Sequence, residues 1–181
     1  MSTASVQPAP MKADLAATLA HMTIERLREE FATTRRVISA VPEDKAKNSY
    51  RPDPKSKTGW ELAWHICASD VWFLRGIQES KFDIAAEEKI AKENEPKTVA
   101  DMVKWYEQET RKGLDRVARL SPEQLAKSVQ FFSWTYPNCV YLQFLQHHMI
   151  HHRGQLSAYL RAMGSKCPSI YGGSADEPFN G

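Results

Sequence analysis

The histidines of this chain have the spacing that could support metal-binding chemistry. Five of the six fall in two places: His65 stands alone, and His147, His148, His151 and His152 form one cluster. Residues four apart lie one turn apart on the same face of a helix. The cluster therefore contains two pairs of imidazoles, His147 with His151 and His148 with His152, that could each bind one metal ion.

A helical projection separates the two pairs. At about 100° per residue, His148 and His152 lie beside the apolar stripe of their helix, whereas His147 and His151 point toward its opposite face. The stripe consists of Leu142, Leu145, Met149, Leu156, Leu160 and Met163. We therefore expect His148 and His152 to be the chelating pair, and His147 and His151 to face solvent or another subunit.

His65 is the candidate third ligand. Catalytic zinc-type centres usually take three protein ligands and leave one position for water or substrate. His65 lies within a mostly apolar helical segment, where an imidazole without a metal ion would need hydrogen-bond partners for both ring nitrogens. Three neutral imidazoles leave the charge of the ion uncompensated, which favours hydroxide or a thiolate in the open position. The competing interpretation is that each histidine is a hydrogen-bonded core residue.

Four long segments with helical periodicity must position these side chains. They cover residues 14–40, 58–78, 98–119 and 138–163. Thr58 and Glu61 form a capping box at the start of the second segment, Asn138 is the expected cap of the fourth, and Gly164 ends it. Since no segment alternates β-branched residues, the pattern predicts an all-α four-helix bundle and leaves the order of its helices open.

The rest of the chain is expected to be irregular, apart from one helical turn that begins at Ser121 and Pro122. Lysines and prolines in residues 41–57 and dense charges in residues 79–97 indicate connections, and a loop is expected through Trp134 and Pro137. The predicted organisation is a disordered segment at residues 1–10, the bundle at residues 11–165, and a C-terminal tail at residues 166–181 that packs on the bundle.

The composition excludes several classes of protein. The 181 residues suffice for one domain, and 24 basic against 22 acidic residues give a net charge of +2, without the basic excess of a nucleic-acid binder. No segment resembles a membrane span or a secretory signal. Cys67, Cys139 and Cys167 are too widely spaced for a disulfide framework or a zinc knuckle. We expect a soluble, cytoplasmic protein with no nucleic-acid or membrane partner.

Two segments of the chain resemble the DinB/YfiT-like family of metalloenzymes. HHMIHHRGQLSAYLRAMG looks like the family's HxxxHRGQ helix, and GWELAWHICASDVWFLRGI is similar to its second helix, which carries one histidine after an aromatic residue. The resemblance implies a bundle in up-down-down-up order with a long crossover, frequent homodimerisation, and a metal ion held by His65, His148 and His152. Relatives include thiol-dependent transferases and isomerases, so the reaction stays open.

Five other side chains near the predicted site have both a functional and a structural interpretation. Trp72, Trp134 and Tyr141 could line a pocket above the metal, and a phenol of Tyr141 or Tyr159 could donate to a bound substrate. Each is otherwise an ordinary core residue. Gln155 could form a hydrogen bond behind His148.

The charged residues near the predicted site favour structural roles. Arg153 is expected to pair with a carboxylate of a neighbouring helix rather than to bind an anionic substrate. Asp70, Asp176 and Glu177 are the nearby carboxylates, and none has a compelling position for a general base.

These observations predict a metal-dependent enzyme with a small-molecule substrate. His65, His148 and His152 would hold zinc or nickel, and the open position would activate water or a low-molecular-weight thiol. The reaction would then be a thiol-dependent S-transfer or a hydrolysis. The alternative is a non-catalytic, dimeric helical bundle in which the ion has a structural or sensing role.

Overall fold

The computed structural model describes residues 10–179, which form four long helices, three short ones and one hairpin. The elements are α1 (Ala13–Ser39), α2 (Lys45–Asn48), α3 (Gly59–Glu79), α4 (Ile84–Glu93), α5 (Val99–Val117), α6 (Pro122–Ala126), β1 (Ser128–Phe131), β2 (Trp134–Pro137) and α7 (Val140–Ala162). The all-α prediction is confirmed. The expected disorder of the N-terminal segment lies, except for Pro10, outside the described residues.

The long helices α1, α3, α5 and α7 enclose one apolar core. The helix α3 is buried around most of its circumference, as its mixed apolar pattern predicts. Its contact with α5 is close because Gly113 has no side chain, and a Cβ there would lie 2.9 Å from Cδ1 of Leu74. This packing fixes α3, which carries His65, against its neighbours.

The helices α3 and α7 run in opposite directions. The end of α3 meets the start of α7, where the Asn138 amide donates a 2.7 Å hydrogen bond to the carbonyl of Ile77. The start of α3 meets the end of α7, where Gly59 lies against the Met163 side chain. The middle of each helix therefore faces the middle of the other, and this is where the histidines are.

The predicted starts of α3 and α6 and the predicted end of α7 are confirmed. Thr58 and Glu61 form the expected capping box of α3. Ser121 and Gln124 form a second capping box on α6. Gly164 follows α7 with a φ of +72°, a left-handed conformation that glycine adopts without strain.

Two segments expected to be irregular are ordered instead. The charged segment 79–97 contains α4, which Asp83 caps by accepting a hydrogen bond from the Ala85 amide. The segment expected to be a loop through Trp134 is an antiparallel hairpin, in which Phe131 pairs with Trp134. Its two strands of four residues each are too short to show a clear alternation.

Two smaller expectations are also corrected. The connection 41–57 includes the single turn α2, capped by Asp44. Asn138 does not cap α7: Cys139 holds the capping position without a side-chain hydrogen bond, since the Asn138 side chain is turned toward α3, where its Nδ2 donates to the Ile77 carbonyl. Among residues 10–179, no helix combines the length and hydropathy needed to cross a membrane.

The chain after α7 folds back against α1 and α7. Arg36 of α1 pairs with Glu177, and Arg161 of α7 pairs with Asp176 at 2.6 Å. Tyr171 reaches further in, since its hydroxyl lies 2.6 Å from Nη2 of Arg153 and donates to the carboxylate of Glu30 at 2.9 Å. The tail therefore contacts a charged pair inside the bundle.

Candidate metal centre

The structure brings His65, His148 and His152 together between α3 and α7. One potential ligand nitrogen from each imidazole lies within 4.8 Å of the other two. The ring centroids are 5.2 Å apart for His65 and His148, 4.7 Å for His65 and His152, and 4.4 Å for the pair on α7. All three side chains are half-buried. This is the spacing from which three imidazoles can converge on one ion.

An oxygen atom faces Nδ1 of each of the three imidazoles. Nδ1 of His152 lies 2.8 Å from Oε1 of Gln155, and Nδ1 of His65 lies 3.2 Å from Oγ of Ser69. Nδ1 of His148 lies 3.8 Å from Oδ1 of Asp70. An imidazole that donates its proton from Nδ1 keeps its lone pair on Nε2, the atom available to a metal. The surroundings thus favour the same tautomer in all three rings.

Asp70 stands behind His148 and is fully buried. Its Oδ2 accepts a 2.6 Å hydrogen bond from the Tyr106 hydroxyl. Its Oδ1 and the facing Nδ1 of His148 have no hydrogen-bond partner among the described residues. Burial raises the pKa of Asp70, while the nearby imidazole of His148 and the hydrogen bond from Tyr106 oppose this rise. A buried carboxylate behind a histidine is the usual partner of a metal-bound imidazole.

The electrostatic surroundings keep His65 neutral. Burial lowers its pKa to about 3, and the neighbouring His148 and His152 contribute to the same shift. Burial also lowers the pKa of His152. Only neutral imidazole can bind a metal ion, because protonation occupies the lone pair. The residues present therefore fit a divalent transition metal: they supply three imidazole nitrogen donors, each with an oxygen atom behind its ring.

A cavity of about 290 Å³ opens beside His65. Trp60 and Trp64 of α3 form one wall of the cavity, and Glu87 of α4 forms part of the opposite wall. A second cavity of about 650 Å³ also touches Trp60, so the two adjoin along α3. A small molecule entering from this side would reach the imidazole of His65.

Only some of the other predicted site residues lie beside the three histidines. Gln155 does lie there, although it contacts His152 and not His148 as predicted. Trp72 and Tyr141 are core residues instead of pocket residues, since they are only 4% and 0% exposed. Their polar atoms are bonded within the core: Trp72 Nε1 donates to the Asp83 carbonyl at 2.7 Å, and the Tyr141 hydroxyl donates to the Val129 carbonyl at 2.8 Å. Both belong to an aromatic cluster with Phe82 and Phe131.

Trp134 and Tyr159 make their ring contacts with other aromatic residues and not with the three histidines. Trp134 lies on the hairpin, with its exposed ring against Phe131 and Phe144. Tyr159 packs edge-to-face on Tyr50 at a centroid distance of 5.5 Å. A helical projection identifies the face on which a residue lies, but it does not identify the neighbours that fill the space there.

Two other predictions from the projection are confirmed. His147 and His151 are exposed on the far side of α7. Arg153 is almost fully buried and pairs with Glu30 of α1 at 2.6 Å, which is the structural role expected for it.

The sequence did not lead us to predict that Asp70 lies beside His148 or that Ser69 lies beside His65. The signal that could have revealed Asp70 is a carboxylate within the most apolar helix, because an acidic side chain is rarely buried unless it has a partner. Ser69 gave no comparable signal, since serine is common on any helix face.

Comparisons with known proteins agree on one family. The sequence model of the DinB family matches residues 14–178. The uncharacterized protein YrdA of Bacillus subtilis (strain 168) is 24% identical over 149 residues, which cover 82% of this chain and 85% of YrdA.

Two solved structures have the same fold. A DinB-like protein of Bacillus subtilis, YjoA, is 25% identical with a TM-score of 0.64, and the match covers 82% of this chain and 96% of that one. A DinB-like protein of Bacillus cereus ATCC 10987 is 21% identical with a TM-score of 0.66, and the match covers 82% and 95% of the two chains.

Proposed function

The chain belongs to the DinB family, and on that premise we propose that it is a metal-dependent enzyme whose ligands are His65, His148 and His152. The observation that carries this proposal is the convergence of the three imidazoles, with an oxygen atom behind each Nδ1. Three protein ligands are typical of catalytic zinc centres, which keep a position open. Zinc and nickel are the ions we favour, because both accept imidazole ligands.

The proposed reaction is thiol-dependent S-transfer or hydrolysis of a small molecule. A divalent ion at this centre would supply Lewis acidity to water or to a thiol in its open position. Asp70, Ser69 and Gln155 would hold the three imidazoles in the tautomer and orientation that binding requires. Trp60 and Trp64 would provide an apolar wall for the substrate beside His65.

A structural or sensing ion in a non-catalytic bundle is the alternative. Two observations favour catalysis over it. Among residues 10–179 the group of potential ligands comprises three residues, where structural zinc sites have four. Apolar packing already joins α3 to α7 around the histidines, so the contact between these helices does not depend on an ion.

We also propose a homodimer that functions in a reducing compartment such as the cytoplasm. The family resemblance supports the dimer. The three cysteines support the reducing compartment, since all three are free and two of them are buried. Sedimentation equilibrium of the purified protein would test the dimer directly.

Elemental analysis of the purified protein tests the metal centre. We expect about one ion per chain in the wild type, and its loss in His65→Ala and in the double variant His148→Ala/His152→Ala. The matched control is His147→Ala/His151→Ala, which removes two exposed imidazoles from the same helix and should keep the ion. Circular dichroism checks that each variant is folded. A wild type that binds no ion after reconstitution with zinc or nickel would overturn the proposal.

Two assays on the metal-loaded protein then separate the reactions. One couples glutathione to an aryl chloride, in which the thiolate sulfur bonds to carbon and chloride leaves. The other follows hydrolysis of an activated ester without thiol. Turnover that disappears in His65→Ala supports the enzyme and distinguishes transfer from hydrolysis. Full metal occupancy without turnover in either assay supports the non-catalytic alternative.

A further inference from the structure

The short helix α4 is attached to α3 by three hydrogen bonds and by little apolar packing, that of Ile90 and Ala86. Ile90 is its one buried residue among Ile84–Glu93. Three polar contacts join the two helices. Trp72 Nε1 donates to the Asp83 carbonyl at 2.7 Å, the Ser69 hydroxyl donates to Oε1 of Glu87 at 2.6 Å, and Trp64 Nε1 donates to the Ala91 carbonyl at 3.1 Å.

These three contacts lie one turn apart along α4. Residues 83, 87 and 91 are spaced by four and therefore share one face of the helix. With so little apolar surface buried, α4 is a segment whose attachment depends on these hydrogen bonds. Loss of the middle contact would therefore weaken the attachment at the centre of the helix.

The middle contact continues to the proposed metal centre. Oγ of Ser69 lies 3.2 Å from Nδ1 of His65 and donates its own proton to Glu87. With that proton committed to the carboxylate, the Ser69 oxygen is free to accept the proton of His65 Nδ1. The chain of hydrogen bonds then runs from the imidazole through the hydroxyl to the carboxylate.

This arrangement has a direct consequence for metal binding. The charge of Glu87 polarises the Ser69 hydroxyl, which in turn holds the Nδ1 proton of His65 and leaves Nε2 free for the ion. Glu87 is thus linked to the metal centre although it lies on another helix and is not one of the three converging ligands.

We propose that Ser69 and Glu87 are positioning residues for His65, and that they couple metal occupancy to the docking of α4 on α3. The inference rests on the proposed metal centre. A metal ion stabilises the oriented imidazole and hence the docked helix, and by thermodynamic reciprocity the docked helix raises the affinity for the ion. Because Glu87 also lines the cavity beside His65, metal loading sets one wall of the space that a substrate would enter.

Hydrogen exchange of the full chain with and without zinc tests this coupling. In the wild type, zinc should slow amide exchange in Ile84–Glu93 as well as around the histidines. In Glu87→Ala, zinc should no longer slow exchange in α4, and zinc affinity should fall about 10–100-fold, the usual effect of losing a residue that orients a metal ligand. Glu87→Gln should recover part of both effects, because its amide oxygen can still accept the Ser69 proton.

Two further variants exclude a general effect on folding. Ser69→Ala interrupts the same chain from α3 with a side chain of nearly equal size, and it should reproduce the loss seen in Glu87→Ala. Glu93→Ala removes an exposed carboxylate from the same helix, one that pairs with Lys89 at 3.8 Å, and it should behave like the wild type. A purely structural role of Glu87 would speed exchange in α4 equally with and without zinc and leave zinc affinity unchanged.

The outcomes distinguish this inference from the proposed function. If the wild type binds neither zinc nor nickel, the metal centre is wrong and the coupling falls with it. If zinc binds with unit stoichiometry but Glu87→Ala and Ser69→Ala keep both the affinity and the zinc-dependent protection of α4, the metal centre stands and the coupling is overturned.

Discussion

Oδ1 of Asp70 lies 3.8 Å from Nδ1 of His148, and within residues 10–179 neither atom has a hydrogen-bond partner. Both atoms are buried, where an unsatisfied polar group costs about 1–3 kcal/mol. A small rotation of the imidazole would convert this approach into a hydrogen bond. A metal ion on Nε2 would favour the bond, because it fixes the proton on Nδ1.

Asp70→Asn is therefore expected to weaken metal binding without unfolding the chain. The amide is nearly equal in size and can still accept the hydrogen bond from Tyr106, but it carries no charge to attract the Nδ1 proton. We expect zinc affinity to fall about 10–100-fold in a competition titration with a chelator. Asp115→Asn, on the surface of α5, is the control. Equal zinc affinity in the wild type and Asp70→Asn would show that Asp70 does not support His148.

The lowered pKa of His65 predicts how the stability of the metal-free protein depends on pH. Its folded value is about 3, compared with 6.5 for a free imidazole. Well above pH 6.5 the side chain is neutral in both states. As the pH falls from 6.5 toward 3, the unfolded chain binds a proton here and the folded chain does not, so the free energy of unfolding decreases.

The contribution of one proton is at most about 1.4 kcal/mol per pH unit, and the partial exposure of His65 reduces it. His65→Gln should be less sensitive to acid over the same range, whereas the exposed His151→Gln should follow the wild type. Urea unfolding in the presence of a chelator, at several pH values from 7.5 down to about 4, measures the difference. Parallel curves for His65→Gln and the wild type would mean that His65 is protonated equally in both states.

The buried pair of Arg153 and Glu30 should be sensitive to the loss of one partner. Their side chains are 1% and 4% exposed and meet at 2.6 Å, so Arg153→Met leaves a buried carboxylate without its countercharge. We expect a loss of about 3–5 kcal/mol in the free energy of unfolding. The double variant Arg153→Met/Glu30→Gln should lose much less than the sum of the two single changes. Additive losses in urea unfolding would contradict the pairing.

Two glycines in long helices should respond oppositely to alanine. A Cβ on Gly76 would overlap the ring of Phe82, whereas a Cβ on Gly154 would meet nothing within 4 Å. Gly76→Ala should therefore destabilise the protein by about 1–3 kcal/mol. Gly154→Ala should stabilise it by about 0.5–1 kcal/mol, because alanine favours the helix. Thermal melts of both variants beside the wild type provide the measurement, and a melting temperature unchanged in both would contradict the packing described for Phe82.

The long helices and the chelating histidine pair could be predicted from the sequence because both depend on local periodicity. The four long helices follow from repeated apolar positions and their caps, and the choice of His148 with His152 follows from their angle to the apolar stripe of α7. The helix α4 was missed because its attachment depends on donors from a distant segment, namely Trp64, Ser69 and Trp72. Asp70 was undervalued for the same reason, since its partners Tyr106 and His148 lie on other helices.

The pairing of Glu30 with Arg153 also constrains how the protein is made. The two residues are 123 positions apart, so Glu30 emerges from the ribosome long before its partner. A nascent chain ending before α7 carries a carboxylate on the inward face of α1 with no countercharge to accompany it. Contacts of such long range slow folding, and exposed apolar faces promote aggregation in the meantime. We therefore expect the last long helix, rather than the first, to determine when the newly synthesised chain reaches its folded state.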